Sequence, residues 1–255
     1  MTAHTNGSSK EDVLVLDGIV KRFGSVTALR GASIAARAGE VTAIVGDNGA
    51  GKSTLIKCLT GVHVPDEGTI TVNGAEADFH SPQDSRKAGI EAVYQDLALA
   101  DDLAVWQNLY LNRELTKWVG PLRLLDRKTM RREADAMMTK LAVNVPPVKA
   151  RVRRLSGGQR QAVAISRAAG FGSRIVIMDE PTAALGVRET DRAEELIEGL
   201  RDQGLAILLI SHDFAQVQRL AQRVFVMRGG RTTAERAASD ITAERLVAMV
   251  TGAEE

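Results

Sequence analysis

The 255 residues include 33 Lys and Arg against 32 Asp and Glu, a net charge of +1, with 44% hydrophobic and 25% charged residues. That is enough chain for one large domain with a full core, in an ordinary globular composition. The charge balance gives no electrostatic reason to expect nucleic acid or an anionic membrane surface as the main partner. The lone Cys58 excludes an internal disulfide, which fits a reducing compartment. No apolar run approaches the roughly 20 residues needed to span a bilayer, and Met1–Asp12 lacks the apolar core of a signal peptide. A cytoplasmic protein is expected, with any membrane role arising through partners.

Residues 1–10 are small and polar and read as a disordered tail. Val13–Leu16 and Ala32–Ala36 then read as strands; Thr69–Val72, closed by Asn73-Gly74, reads as part of a hairpin, and together they suggest an added antiparallel sheet. Val41–Val45, Ile90–Tyr94, Ile175–Met178, Leu205–Ile210 and Val224–Met227 are compact β-branched-rich runs. Those standing before the helices at Lys52, Val187 and Asp213 predict buried parallel strands. From Leu103 to Leu141 the pattern is helical, with Asp126 as an N-cap and Met130, Ala134, Met137 and Leu141 along one face. The fold class is thus α/β: a mostly parallel sheet with helices, an antiparallel β subdomain and an inserted α-helical subdomain.

Gly46-Asp47-Asn48-Gly49-Ala50-Gly51-Lys52-Ser53 matches G-x-x-x-x-G-K-[ST], between a predicted strand and a predicted helix at Ser53–Thr60. Its glycines let backbone N–H groups converge on phosphate oxygens, and the helix that follows adds its positive end. Lys52 can reach the β- and γ-phosphates, and the Ser53 hydroxyl can ligate Mg²⁺. Thr54 completes the nucleotide-binding stretch. The strand Ile175–Met178 ends in Asp179 and Glu180, whose side chains point to opposite sides. Asp179 suits Mg²⁺, usually through water, and Glu180 suits a general base on the attacking water. Such a pair alone is more often a solvated turn; the P-loop gives it meaning. Leu155-Ser156-Gly157-Gly158-Gln159 places Ser156 as N-cap of a helix to about Ala169, with glycines that let an anion approach; alone, it is a capped helix after a glycine turn.

With this last run the chain resembles the ATP-binding cassette (ABC) family, whose signature is LSGGQ ahead of an apolar strand and an Asp-Glu pair. Phe23 stands where that family has an adenine-stacking aromatic, Gln95 matches the Q-loop glutamine, and His212 matches the switch histidine. The resemblance implies an ATPase in which two copies close head to tail around two ATP molecules. Ser156, Gly157, Gly158 and Gln159 of one copy would complete, in trans, the site begun by the P-loop of the other. Gln95 would touch Mg²⁺ and the attacking water, and His212 would hold the γ-phosphate. It further implies a nucleotide-binding domain over residues 11–255 with a helical subdomain at about 96–160, where the segment after Gln95 meets a membrane permease.

Within the family, Gly61–Gly68, Glu180–Thr190 and Ser211–Arg231 resemble the ATPases of bacterial monosaccharide importers. That likeness implies a peripheral protein on the cytoplasmic face of the cell membrane, served indirectly by an external sugar-binding protein. Most ATPases of that branch carry two cassettes in tandem, whereas one cassette here would pair with another copy. Gly186 replaces the Asp that usually ends the family's D-loop. The competing reading is a soluble ABC-type ATPase without a membrane partner.

The remaining candidates read as structure. Trp106, Tyr110, Met137, Met138 and Cys58 are expected in the core, and Arg151, Arg153 and Arg154 form a solvated basic face. His4, His63 and His80 lack metal-binding spacing.

Overall fold

The computed structural model describes residues 11–140 and 147–253; the expected tail, with His4, and Leu141 lie outside these. Strands β1 (Asp12–Phe23), β2 (Val26–Arg37) and β3 (Val41–Val45) lead into helix α1 (Lys52–Leu59). Next come β4 (Glu67–Val72), β5 (Ala75–Glu76), α2 (Pro82–Lys87), β6 (Ile90–Val93) and α3 (Val105–Leu109). The middle of the chain holds β7 (Thr116–Val119), β8 (Leu122–Leu125), α4 (Arg127–Lys140) and α5 (Gly157–Ala169). The rest runs β9 (Ile175–Asp179), α6 (Val187–Asp202), β10 (Ala206–Ile210), α7 (Phe214–Leu220), β11 (Arg223–Arg228), β12 (Arg231–Ala237) and α8 (Ala243–Thr251).

The central sheet has the order β12-β11-β3-β10-β9-β6, parallel throughout except for the antiparallel edge strand β12. Its strands β3, β9, β10 and β11 are buried on both faces, so they read as continuous apolar runs rather than as alternation. Val41, Ala43, Val45, Ile207 and Leu209 pack on one side with residues of α5 to α8. Ile44, Ile177, Leu208 and Ile210 pack on the other with α1 and with the second, antiparallel sheet, ordered β2-β1-β4-β5. Both sheets fall where the sequence predicts them, although β1 and β2 extend well past the apolar residues that signal them. Hydrogen-bond pairing carries them through Lys21, Arg22 and Phe23 to the turn at Gly24.

A third core joins Val105, Trp106, Leu109, Tyr110, Met130, Ala134, Met138, Val152, Leu155 and Val163. Asp126 caps α4 as expected, accepting from the Thr129 N–H at 3.3 Å. The helical pattern expected over Leu103–Leu141 is interrupted. Helix α3 spans five residues, and β7 and β8 form an antiparallel hairpin before α4. The physical reason is Gly120-Pro121: Gly120 takes φ 60°, the left-handed backbone that opens a two-residue hairpin loop, and proline cannot continue a helix. Cys58 is fully buried, and its thiol is pushed up to about 11 by burial. Among the described residues no helix is long and apolar enough to cross a membrane.

Candidate nucleotide-binding site

The loop between β3 and α1 is formed by close backbone packing. A Cβ on Gly46 would stand 2.2 Å from the Met227 carbonyl oxygen, and one on Gly51 would stand 2.9 Å from Leu29 Cδ2. Only glycine fits at either place, and Gly51 also adopts φ 104°. The residues between them are thereby held at the C-terminal end of β3, at the mouth of a cavity of about 510 Å³. Asp47, Asn48, Gly49, Ala50, Gly51, Lys52, Ser53 and Thr54 line that cavity together with Gln95, Asp179 and Glu180. Three separate sequence segments therefore meet at the ends of parallel strands, the usual place for a ligand in an open α/β sheet.

Lys52 Nζ donates to the carbonyl oxygens of Gly46 and Asp47. Burial lowers its pKa, while Glu180, Asp179 and Asp47 oppose that shift. Asp179 is raised, first by burial and then by its neighbour Glu180, with Lys52 pulling it down. Glu180 occupies the left-handed region at φ 52°, a conformation that costs a residue with a side chain roughly 1–3 kcal/mol. It is held there by its N–H, which donates to Ile210 O at 2.9 Å. Its Oε2 lies 2.7 Å from His212 Nδ1, so the end of β9 and the loop after β10 meet through these two side chains.

The structure does not gather every predicted site residue at this cavity. His212 reaches Glu180 but does not line the cavity, and its side chain is 74% exposed. Phe23 is also off the lining. It ends β1, pairs across the hairpin with the cavity-lining Val26, and meets His63 edge-on at 5.1 Å. The signature residues form a separate hollow. Ser156 caps α5 as expected, accepting from the Gln159 N–H at 3.3 Å, while Gln159 Oε1 accepts from the Ser156 N–H at 3.1 Å. Ser156, Gly158 and Gln159 line this second cavity with Glu189 and Arg192 of α6, and none of them lines the P-loop cavity.

Glu189 is the residue that sequence reasoning missed. Its carboxylate accepts from the Gly158 N–H and the Ser156 hydroxyl, contacts that hold it below the usual carboxylate range. A Cβ on Gly158 would stand 3.0 Å from both Cβ and Cγ of Glu189. The signal available in the sequence was an acidic residue in the first turn of α6, close after the D-loop. Its target on α5 appears only in the fold. A larger cavity of about 830 Å³ lies between Tyr110, Arg113, Phe171 and Leu205 and contains no P-loop residue; the chemistry sits at the smaller one.

This fold, a P-loop between a parallel strand and a helix with an Asp-Glu pair beside it, defines a nucleotide-hydrolysing cassette. The ABC transporter family model matches residues 29–183. A fructose import ATP-binding protein of Rhizobium meliloti is 46% identical over 97% of this chain and 96% of its own length. A xylose/arabinose import ATP-binding protein of Sulfolobus acidocaldarius is 41% identical over 94% of each chain. A ribose import ATP-binding protein of Rubrobacter xylanophilus is 44% identical over 96% of this chain but 47% of its own length. Among solved structures, the ADP conformation of an ATP-binding cassette of an ABC transporter superposes with a TM-score of 0.78 at 27% identity. It covers 94% of this chain and 95% of that one. The chain belongs to the ABC transporter family and is an ABC-type ATPase.

Proposed function

We propose that this chain is the ATP-hydrolysing motor subunit of a monosaccharide importer, bound as two copies to permease subunits at the cytoplasmic face of the membrane. The observation that carries the ATPase mechanism is the convergence of P-loop, Gln95, Asp179 and Glu180 on one cavity. The sugar-import relatives, matched over nearly their whole length, support the cargo class.

In this reading the P-loop N–H groups and Lys52 hold the triphosphate, and Phe23 stacks on adenine from the rim. A water oxygen attacks the γ-phosphorus, the bond to the β,γ-bridging oxygen breaks, and ADP leaves. Glu180 takes the proton of that water, and His212, already against Glu180, contacts the transferred phosphoryl group. The Ser53 hydroxyl, the Gln95 amide and the Asp179 carboxylate are hard oxygen donors with a single carboxylate. That set fits Mg²⁺, which keeps substrate phosphates and water as its other ligands. When bound there, Mg²⁺ would neutralise charge on the β- and γ-phosphate oxygens. Ser156 to Gln159 lie outside the P-loop cavity, so a second copy supplies them in trans, stabilising charge as it spreads over the phosphoryl oxygens.

Deletion of the gene followed by uptake of labelled ribose, xylose and fructose tests the cargo. Loss of uptake of at least one sugar is expected, with the protein in the membrane fraction of gentle lysates. Unchanged uptake of all three, together with a wholly soluble protein, would leave the ATPase without a sugar-transport role.

A further inference from the structure

Among the described residues the hairpin β7–β8 pairs with no other strand. Every residue of both strands is exposed, yet it carries Trp118 at 72%, Leu122 at 62% and Val119 at 50% exposure, with Leu124 and Leu125 close behind. In an antiparallel register, directly paired residues share a face. The pairs Trp118↔Arg123 and Thr116↔Leu125 lie on one face, and Val119↔Leu122 and Lys117↔Leu124 on the other. Toward the Gly120-Pro121 tip one face ends in the apolar pair Val119↔Leu122 and the other in Trp118 beside Arg123, and each face carries one cation.

The surrounding charge is one-sided. Between residues 116 and 129 the exposed cations Lys117, Arg123, Arg127 and Lys128 face a single carboxylate, Asp126. Asp126 accepts from the Thr129 N–H and hydroxyl and also pairs with Lys117 at 3.5 Å, so cations still outnumber carboxylates four to one in this stretch. This local excess stands out in a chain whose net charge is +1.

We infer that the β7–β8 hairpin dips end-on into the headgroup layer of an anionic bilayer, with Trp118, Val119 and Leu122 in the interface and the flanking cations on acidic lipid. A groove on a protein partner would cover one face of the hairpin and leave the other apolar face in water. A bilayer surrounds both. Tryptophan is favoured at the headgroup level, and Lys and Arg beside it gain from the negative surface potential. The permease then brings the chain to the membrane, and the hairpin adds a direct lipid contact, at a surface that whole-chain charge does not reveal. This inference is independent of the cargo and of the catalytic roles.

The test uses the full chain with vesicles of phosphatidylcholine alone or with added phosphatidylglycerol. Trp106 and Trp118 are the two tryptophans, and Trp106 is buried, so Trp106→Phe leaves emission to Trp118. Co-sedimentation with phosphatidylglycerol vesicles and a blue shift of Trp118 emission are expected, both reversed by salt. Lys117→Gln with Arg123→Gln is expected to weaken binding roughly thirtyfold, at the usual gain per cation near an anionic surface. Trp118→Ser with Leu122→Ser should abolish binding and leave ATP hydrolysis unchanged. Wild type and the Trp118/Leu122 variant sedimenting alike would overturn the inference. So would a Trp118 shift that appears with detergent-solubilised permease and never with lipid vesicles.

Discussion

Asp179 shows at the scale of one residue how the site trades stability for chemistry. Its folded pKa is raised by burial and by Glu180, so the folded chain holds a proton there more readily than the unfolded chain. Ionisation of Asp179 therefore costs stability above the ordinary carboxylate range, and the cost vanishes in acid, where both states are protonated. Asp179→Asn is expected to raise the denaturation midpoint near neutral pH, to lose that advantage as pH falls, and to abolish Mg²⁺-dependent phosphate release. Equal midpoints at neutral pH would show that burial of the charge is not costly. Glu189 has the opposite sign, depressed by the donors it accepts from on α5. If a γ-phosphate from a second copy docks on those same donors, Glu189 must leave them first. Glu189→Gln is then expected to lower the ATP concentration at which the chain dimerises, read by sizing; an unchanged concentration would make the contact purely structural. The place of the P-loop between β3 and α1 was legible in the sequence because the motif follows an apolar run and opens a helical one. Glu189 was not, because its role depends on α6 packing against α5.

Among the elements, α5 reaches beyond its signature end. Arg167 donates to the carbonyls of Leu97 and Ala98, both at 2.8 Å, and Arg160 lies 3.2 Å from Asp101. The segment after Gln95, the one expected to meet a permease, is thus tied to the signature helix by charged contacts along one helix. Arg167→Ala removes two charge-assisted hydrogen bonds and should cost roughly 1.5–3 kcal/mol of stability, measured by urea unfolding. A loss well under 1 kcal/mol would show that Leu97 and Ala98 hold their places without it. The parallel strands were readable because a sheet buried on both faces demands unbroken apolar runs. The β7–β8 hairpin was misread because its apolar residues face solvent and bury nothing, so no core periodicity marks it. Gly120-Pro121, between two short apolar runs, was the signal that spoke for a turn.

At the scale of the whole molecule, the P-loop and the signature occupy separate hollows of one chain, so under the proposed mechanism a complete site takes two copies. Chemistry is thereby linked to assembly: a chain that binds ATP and cannot hydrolyse it should accumulate as a dimer. Glu180→Gln isolates this, because the amide keeps the side chain's shape and removes the proton acceptor. Phosphate release by wild type and Glu180→Gln in Mg·ATP, with sizing of the same samples, is the most direct measurement. The variant is expected to bind ATP, release phosphate about 10²–10⁴-fold more slowly, and run at twice the mass. Phosphate release at the wild-type rate from a monomeric Glu180→Gln chain would contradict the proposed mechanism.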